Sequence, residues 1–242
     1  MSERQFVGLG RSLLAESIGT GLLVAAVVGS GIAAARLSPG EIGMQLLENS
    51  TATGAALVAI IYALGPASGA HLNPVVTLAD WLCGGIRARA GLLYVAAQLA
   101  GGAAGAIVAN LMFGLPALQV AGKARWGPGL WLGEVVATFG LVLVIFGLVR
   151  TRRAAAAPIV VGSYIAAAYW FTSSTSFANP AVTFARTLSD TFAGIAPASV
   201  LPFLGAQLLG GLLGAGTVRV LYPDIGVVAA DVVVPHHAEA TT

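Results

Sequence analysis

Charge is the first thing this sequence lacks. Only 9% of its 242 residues are Asp, Glu, Lys or Arg, against roughly 25% in an ordinary soluble domain. With 57% hydrophobic residues and a mean hydropathy of +0.87, no soluble fold of this length has an interior large enough to hide the apolar surface. The solvent around most of the chain is therefore lipid. Cysteine is nearly absent too. Cys83 stands alone, which excludes an intrachain disulfide and a cysteine-built metal site. Histidine is scarce: no second ligand is spaced to join His71, and His236 and His237 sit in a polar tail. No metal or cofactor is expected. Nor is a nucleic-acid partner, because the twelve basic residues behind the net charge of +2 are scattered at loop positions and form no patch.

What remains is long apolar runs. Between Ser12 and Ala35 the only charge is Glu16, and between Arg125 and Arg150 the only one is Glu134. Six blocks can each supply the roughly 20 apolar residues of a spanning helix. Spans are expected near 12–35, 50–67, 91–113, 129–149, 157–174 and 199–221. The first is long enough to span, so it reads as a membrane helix and not as a cleaved signal. The blocks 49–79 and 154–185 are too long for one span and too short for two. Each ends in Asn-Pro and a short apolar run, which reads as a span, a loop re-entering the membrane and a half-helix. Irregular backbone at that depth survives only where protein buries it or where it lines a watery cavity. Arg4, Arg11, Arg87, Arg89, Arg150, Arg152, Arg153 and Arg219 fall on one side, and Arg36, Lys123, Arg125 and Arg186 on the other. The excess of positive charge places both termini in the cytoplasm, in the inner (plasma) membrane.

The halves, about 12–113 and 129–221, repeat one pattern within a single domain spanning 1–242. Glu16-Ser-Ile-Gly-Thr20 answers Glu134-Val-Val-Ala-Thr138. His71-Leu72-Asn73-Pro74-Val75-Val76-Thr77 answers Phe177-Ala178-Asn179-Pro180-Ala181-Val182-Thr183. Gln98, Gly101, Gly102 and Gly105 answer Gln207, Gly210, Gly211 and Gly214. Three spans per half give the halves opposite topology, so the two Asn-Pro loops enter from opposite faces and meet near the midplane.

With these paired motifs, over about residues 12 to 221, the chain resembles the major intrinsic protein (aquaporin) family. The resemblance implies an all-α membrane protein, six transmembrane helices plus two re-entrant half-helices in an inverted repeat. It also implies a homotetramer in the lipid bilayer with one pore per subunit, serving as a passive channel and not an enzyme.

Asn73 and Asn179 sit at helix N-caps with Pro74 and Pro180 at the first helical position, where the missing N–H costs nothing. Each half-helix directs about +0.5 of an elementary charge at the midplane, which repels cations and orients a passing hydroxyl. Val75 stands where the family usually has alanine and is expected to narrow or shift the midplane slightly. Glu16 and Glu134 are ionisable groups inside spans. One reading makes them a proton relay; the other has them accept hydrogen bonds from re-entrant-loop N–H groups that lack helical partners. His71 is expected to line the pore or pair with a glutamate. The glycine pairs read as close helix crossings, within the subunit or between subunits.

The outer constriction of the family is built from four positions, and counting from the motif asparagines places them at Thr53, Ala167, Ser176 and Val182. Water-selective members have a bulky aromatic and a histidine at the first two, and nearly all members have arginine at the last. The constriction is therefore expected to be wider here and to lack a fixed positive charge. Arg186 lies four residues past Val182, about 6 Å further along the half-helix. It either compensates in part at the pore mouth or snorkels to the headgroups. Small neutral solutes larger than water follow: glycerol, urea, or neutral metalloid hydroxides. The arginine-to-valine change resembles a bacterial subgroup linked to arsenic resistance. The alternatives are a water-selective aquaporin, a proton-coupled transporter, for which only Glu16 and Glu134 are candidate groups, and a non-conducting junction protein. An intramembrane enzyme has no Ser/His/Asp set or aspartate pair in the spans to build on.

Overall fold

The computed structural model describes residues 3–223, with side chains from Gly8 onward; His236 and His237 lie outside the described residues. The elements in order are α1 (Glu3–Leu37), α2 (Ile42–Ser68), α3 (Pro74–Cys83), α4 (Ala88–Met112), α5 (Pro128–Arg150), α6 (Ala157–Phe171), α7 (Pro180–Ala185) and α8 (Val200–Leu221). Among the described residues every regular element is helical. Six stretches are long and apolar enough to cross a membrane: Gly8–Leu37, Ile42–Ser68, Ala88–Met112, Pro128–Arg150, Ala154–Phe171 and Pro197–Leu221. The protein is a multi-pass membrane protein.

Two boundaries depart from expectation. α2 begins at Ile42, well before residue 50, because Glu48 marks the edge of the lipid and not the end of the helix. The Glu48 carboxylate accepts from the Ser38 hydroxyl at 2.8 Å, and Gln45 and Asn49 bond to the Ser38 and Val27 carbonyls. The fifth span stops at Phe171, since the chain must turn there to re-enter.

The packing follows the duplication. α1 lies mainly on α4 and α5 on α8, while α2 meets α6 across the middle. The half-helices cross over, α3 packing on α8 and α7 on α4. Glycines set the closest approaches within the subunit. A Cβ at Gly101 or Gly105 would run into the Ser17 or Gly21 carbonyl of α1, and one at Gly210 into the Val135 carbonyl of α5. In lipid, association of this kind rests on such backbone proximity rather than on burial of apolar surface from water.

Candidate functional site

Each re-entrant loop is anchored from behind by a glutamate with no solvent exposure. One Glu16 oxygen accepts from the Ser68 hydroxyl at 2.7 Å and the His71 N–H at 2.9 Å; the other accepts from the Leu72 N–H and the Gln98 amide, both at 2.7 Å. Glu134 accepts from the Phe177 and Ala178 N–H groups at 2.9 Å each and from the Gln207 amide at 2.6 Å. The glutamines also donate to Thr77 and Thr183 on the half-helices. This is the geometry of a scaffold. All the carboxylate oxygens are occupied by donors, and neither glutamate borders the cavity described below.

The loops need such support because their backbone is strained in a matched way. Ala70 and Leu72 have φ of 48° and 51°, and Ser176 and Ala178 have 48° and 47°. These are left-handed conformations that residues with a Cβ adopt only when the surroundings enforce them. Alternating left-handed and extended residues turns the N–H groups toward the glutamate and the opposite backbone face toward the solute path.

At the midplane the asparagines do two jobs. The Asn73 side-chain oxygen caps α3 through the Val75 N–H at 2.9 Å. The Asn179 oxygen caps α7 through Ala181 and Val182 at 2.9 and 3.2 Å. Their amide nitrogens cross over: Asn73 donates to the Ala178 carbonyl at 2.7 Å and Asn179 to the Leu72 carbonyl at 2.8 Å. One hydrogen of each amide thus ties the loops together, and the second is left for a passing solute.

A cavity runs through this junction. It is lined around the asparagines by His71, Asn73, Asn179 and Ala178, and at the end where the outer constriction is expected by Thr53, Tyr169, Ser176, Phe177, Val182 and Arg186. Apolar residues such as Leu23, Leu57, Leu141, Val161 and Ile165 make up the walls. The cavity has room for several water molecules. The polar groups are few and separated, which suits solutes that shed part of their hydration shell and recover it stepwise.

Ala167 is not part of this wall. It is exposed on the other side of α6, whose cavity face is Val161, Ile165 and Tyr169. The recurrence every four residues puts those three on one face, and Ala167, two residues from Tyr169, lies about 200° around the helix from it. Counting back from Asn179 assumes a fixed loop length, and the rotation of α6 decides otherwise. The Tyr169 hydroxyl instead reaches Thr53 Oγ1 at 3.3 Å, so the outer end does contain an aromatic ring. Among the described residues the buried Ser176 hydroxyl has no hydrogen-bond partner, and Val182 lines the cavity with 4% exposure.

Arg186 does not snorkel. It is 2% exposed, its Nε donates to the Ala193 carbonyl, and its guanidinium lies over the Phe177 ring at 3.4 Å from the centre. This end therefore has rings, contrary to the expectation of a ring-free constriction, and a cation, in keeping with the compensating alternative for Arg186. The cation reaches it from one turn further on, after α7 has tightened into a 3-10 turn over Arg186–Leu188.

Val75 also departs from expectation. It has no exposure and does not line the cavity; it packs against Gly211 of α8. The extra methyl groups are taken up by the missing Cβ at Gly211, so the midplane bore is untouched. In the other half a Cβ at Gly102 would meet the Ala181 carbonyl and the Ala185 methyl, both at 3.3 Å. Gly211→Ala should destabilise the folded protein by about 1–3 kcal/mol, the usual cost of overpacking. Adding Val75→Ala should recover most of that loss. Thermal unfolding of the three variants in detergent checks the coupling; losses that simply add would refute it.

His71 sends its ring away from both glutamates. Nδ1 is 3.1 Å from Thr77 Oγ1, Nε2 is 3.5 Å from Asp80 Oδ2, and the ring sits edge-on to Tyr94. Asp80, Tyr169 and Phe177 escaped the sequence reading. Asp80 looked like a span boundary, whereas the four-residue spacing 161–165–169 was there to be used. Among the described residues no cluster of His, Cys, Asp or Glu could hold a metal.

Comparison with known proteins agrees with this architecture. The family model described as "Major intrinsic protein" matches residues 3–178. The aquaglyceroporin AqpS of Rhizobium meliloti is 51% identical over 211 residues, covering 87% of this chain and 90% of its own. The aquaporin AqpM of Methanothermobacter marburgensis is 34% identical, covering 89% and 98%. Among solved structures, the aquaglyceroporin from Plasmodium falciparum superposes with a TM-score of 0.67 at 20% identity, over 90% of this chain and 99% of that one; at that identity the likeness is one of fold.

Proposed function

The chain belongs to the major intrinsic protein family, and from that premise we propose that its pore passes neutral metalloid hydroxides, arsenic species included, beside glycerol-sized solutes and water. It is a passive channel for small uncharged solutes and not an enzyme. The observation that carries the wider substrate range is Val182. An uncharged, branched side chain lines the outer cavity there, while the nearest arginine is held to one side by the Ala193 carbonyl and the Phe177 ring. Thr53, Tyr169 and Ser176 supply hydroxyls for a polyol or a metalloid hydroxide, and Phe177 and Val182 supply an apolar wall for its carbon or methyl face. Asn73 and Asn179, seated by Pro74 and Pro180, orient the solute at the midplane, and Glu16 and Glu134 hold the loops. The assembly proposed is a homotetramer in the inner membrane with both termini cytoplasmic, in line with the excess of Arg on that side.

The Tyr169 ring and Arg186 favour a second, narrower reading, a pore selective for water. Proteoliposomes separate the two. Under a gradient of glycerol or neutral arsenous acid, re-swelling should be at least about five times faster than in empty vesicles, and it should not saturate in the low millimolar range. Rapid water flux with solute re-swelling no faster than in empty vesicles establishes the water-selective reading instead.

A further inference from the structure

Three basic side chains gather over the outer end of α7, each held by one of three successive carbonyls. Lys123 Nζ donates to Phe192 O at 3.0 Å, Arg186 Nε to Ala193 O, and Arg125 Nε to Gly194 O at 3.0 Å. The guanidinium carbons of Arg125 and Arg186 both lie against Phe177, at 4.9 and 3.4 Å from the ring centre. The loop bearing Lys123 and Arg125 is pinned over α7 by backbone bonds from Gln119, Ala121 and Ala196, so the three charges are held together by the fold. Among the described residues none of them has a carboxylate within 4.0 Å. The neighbouring acids are engaged elsewhere: Asp190 accepts from the Gly122 N–H at 2.8 Å, and Glu134 is filled by the loop donors.

Three clustered cations with no carboxylate in contact and one buried glutamate behind them carry a net positive field that attracts an anion. The second observation concerns Arg186. This residue is 98% buried, yet among the described residues its terminal nitrogens make no hydrogen bond, and they are not sealed from the cavity that Arg186 lines. A planar fork whose terminal N–H groups are unbonded at the cavity's edge is matched to two oxygens of one anion.

We propose that this mouth is a binding site for a tetrahedral oxyanion, inorganic phosphate being the simplest, which seats on the Arg186 fork and obstructs the pathway of neutral solutes. Arg186 supplies the contact, and Lys123 and Arg125 supply the field. The ion stays at the mouth, because carrying its charge past the apolar walls at Leu57, Leu141 and Ile165 is prohibitive. Only the obstruction rests on the channel reading; the binding does not.

Full-length protein in nanodiscs, titrated with inorganic phosphate and followed by phosphorus NMR, tests the binding. Saturable line broadening in the millimolar range is expected, absent with empty nanodiscs and little affected by matched chloride. Arg186→Gln should abolish it. Lys123→Gln, on an exposed loop that leaves the helix packing intact, should raise the apparent dissociation constant by about threefold, as loss of one distant unit charge does. Phosphate outside proteoliposomes should also slow glycerol flux by about half or more at saturation. No broadening beyond empty nanodiscs, or an unchanged constant in both variants, overturns the site. Binding that leaves glycerol flux unaltered overturns the obstruction. Phosphate binding in a protein that passes no glycerol supports the site and removes the proposed function instead.

Discussion

Glu134→Leu is expected to cut the yield of folded protein by roughly tenfold or more. The carboxylate satisfies the Phe177 N–H, the Ala178 N–H and the Gln207 amide. Each buried donor left bare costs about 1–3 kcal/mol, and three together rival the total margin of about 5–15 kcal/mol typical of a folded protein. The damage is compounded because Ser176 and Ala178 hold left-handed φ values that persist only while the loop is fixed. Glu134→Gln should fall between, since the amide keeps one acceptor but turns an NH₂ toward a donor. Fluorescence-detected gel filtration gives the yield, and stopped-flow swelling gives flux per folded channel. Flux per channel should show the parent's pH dependence in the Gln variant. Normal yield with flux that becomes newly insensitive to pH would establish the proton-relay reading and reject the scaffold.

Val182→Arg should reduce glycerol passage by about tenfold while water permeability stays within a few-fold, because one more guanidinium narrows the bore below a polyol but leaves the roughly 10–15 Å³ that a water needs. Val182 lines the outer cavity and is four residues from Arg186, so the new cation arrives about 6 Å from an existing one. Some loss of stability from like charge is therefore built into the experiment. The double variant with Arg186→Gln relieves the crowding and isolates the steric effect. Stopped-flow light scattering on vesicles with matched protein content, after gel filtration confirms assembly, separates the cases. A well-folded Val182→Arg that passes glycerol as fast as the parent places the constriction elsewhere.

Membrane residence, the number of spans and the paired loops were legible in the sequence. They depend on quantities local to the chain: the length of apolar runs, the Asn-Pro caps, and a duplication that repeats Glu, Gln and Gly at matched places. The bonding of Glu16 and Glu134 to the re-entrant loops was legible as one of two readings, since the sequence places a carboxylate near a loop but not its oxygens against particular N–H groups. The wall of the pore was legible at Thr53, Ser176 and Val182, which line the cavity, but not at α6. Whether Ala167 or Tyr169 faces the solute depends on how α6 is rotated against α2 and α5, and two residues of helix turn a side chain through more than half a circle. Whether Val75 enters the bore depends on Gly211, which lies 136 residues away in the chain and across a helix contact. Whether Arg186 leaves for the headgroups or folds into the mouth depends on a carbonyl at Ala193 and a ring at Phe177 that only the folded loops bring beside it. Sequence alone determined what this protein spans and where its two loops enter. Tertiary packing decided how α6 turns and where Val75 and Arg186 come to lie, because these are set by rotations and contacts between residues far apart in the chain.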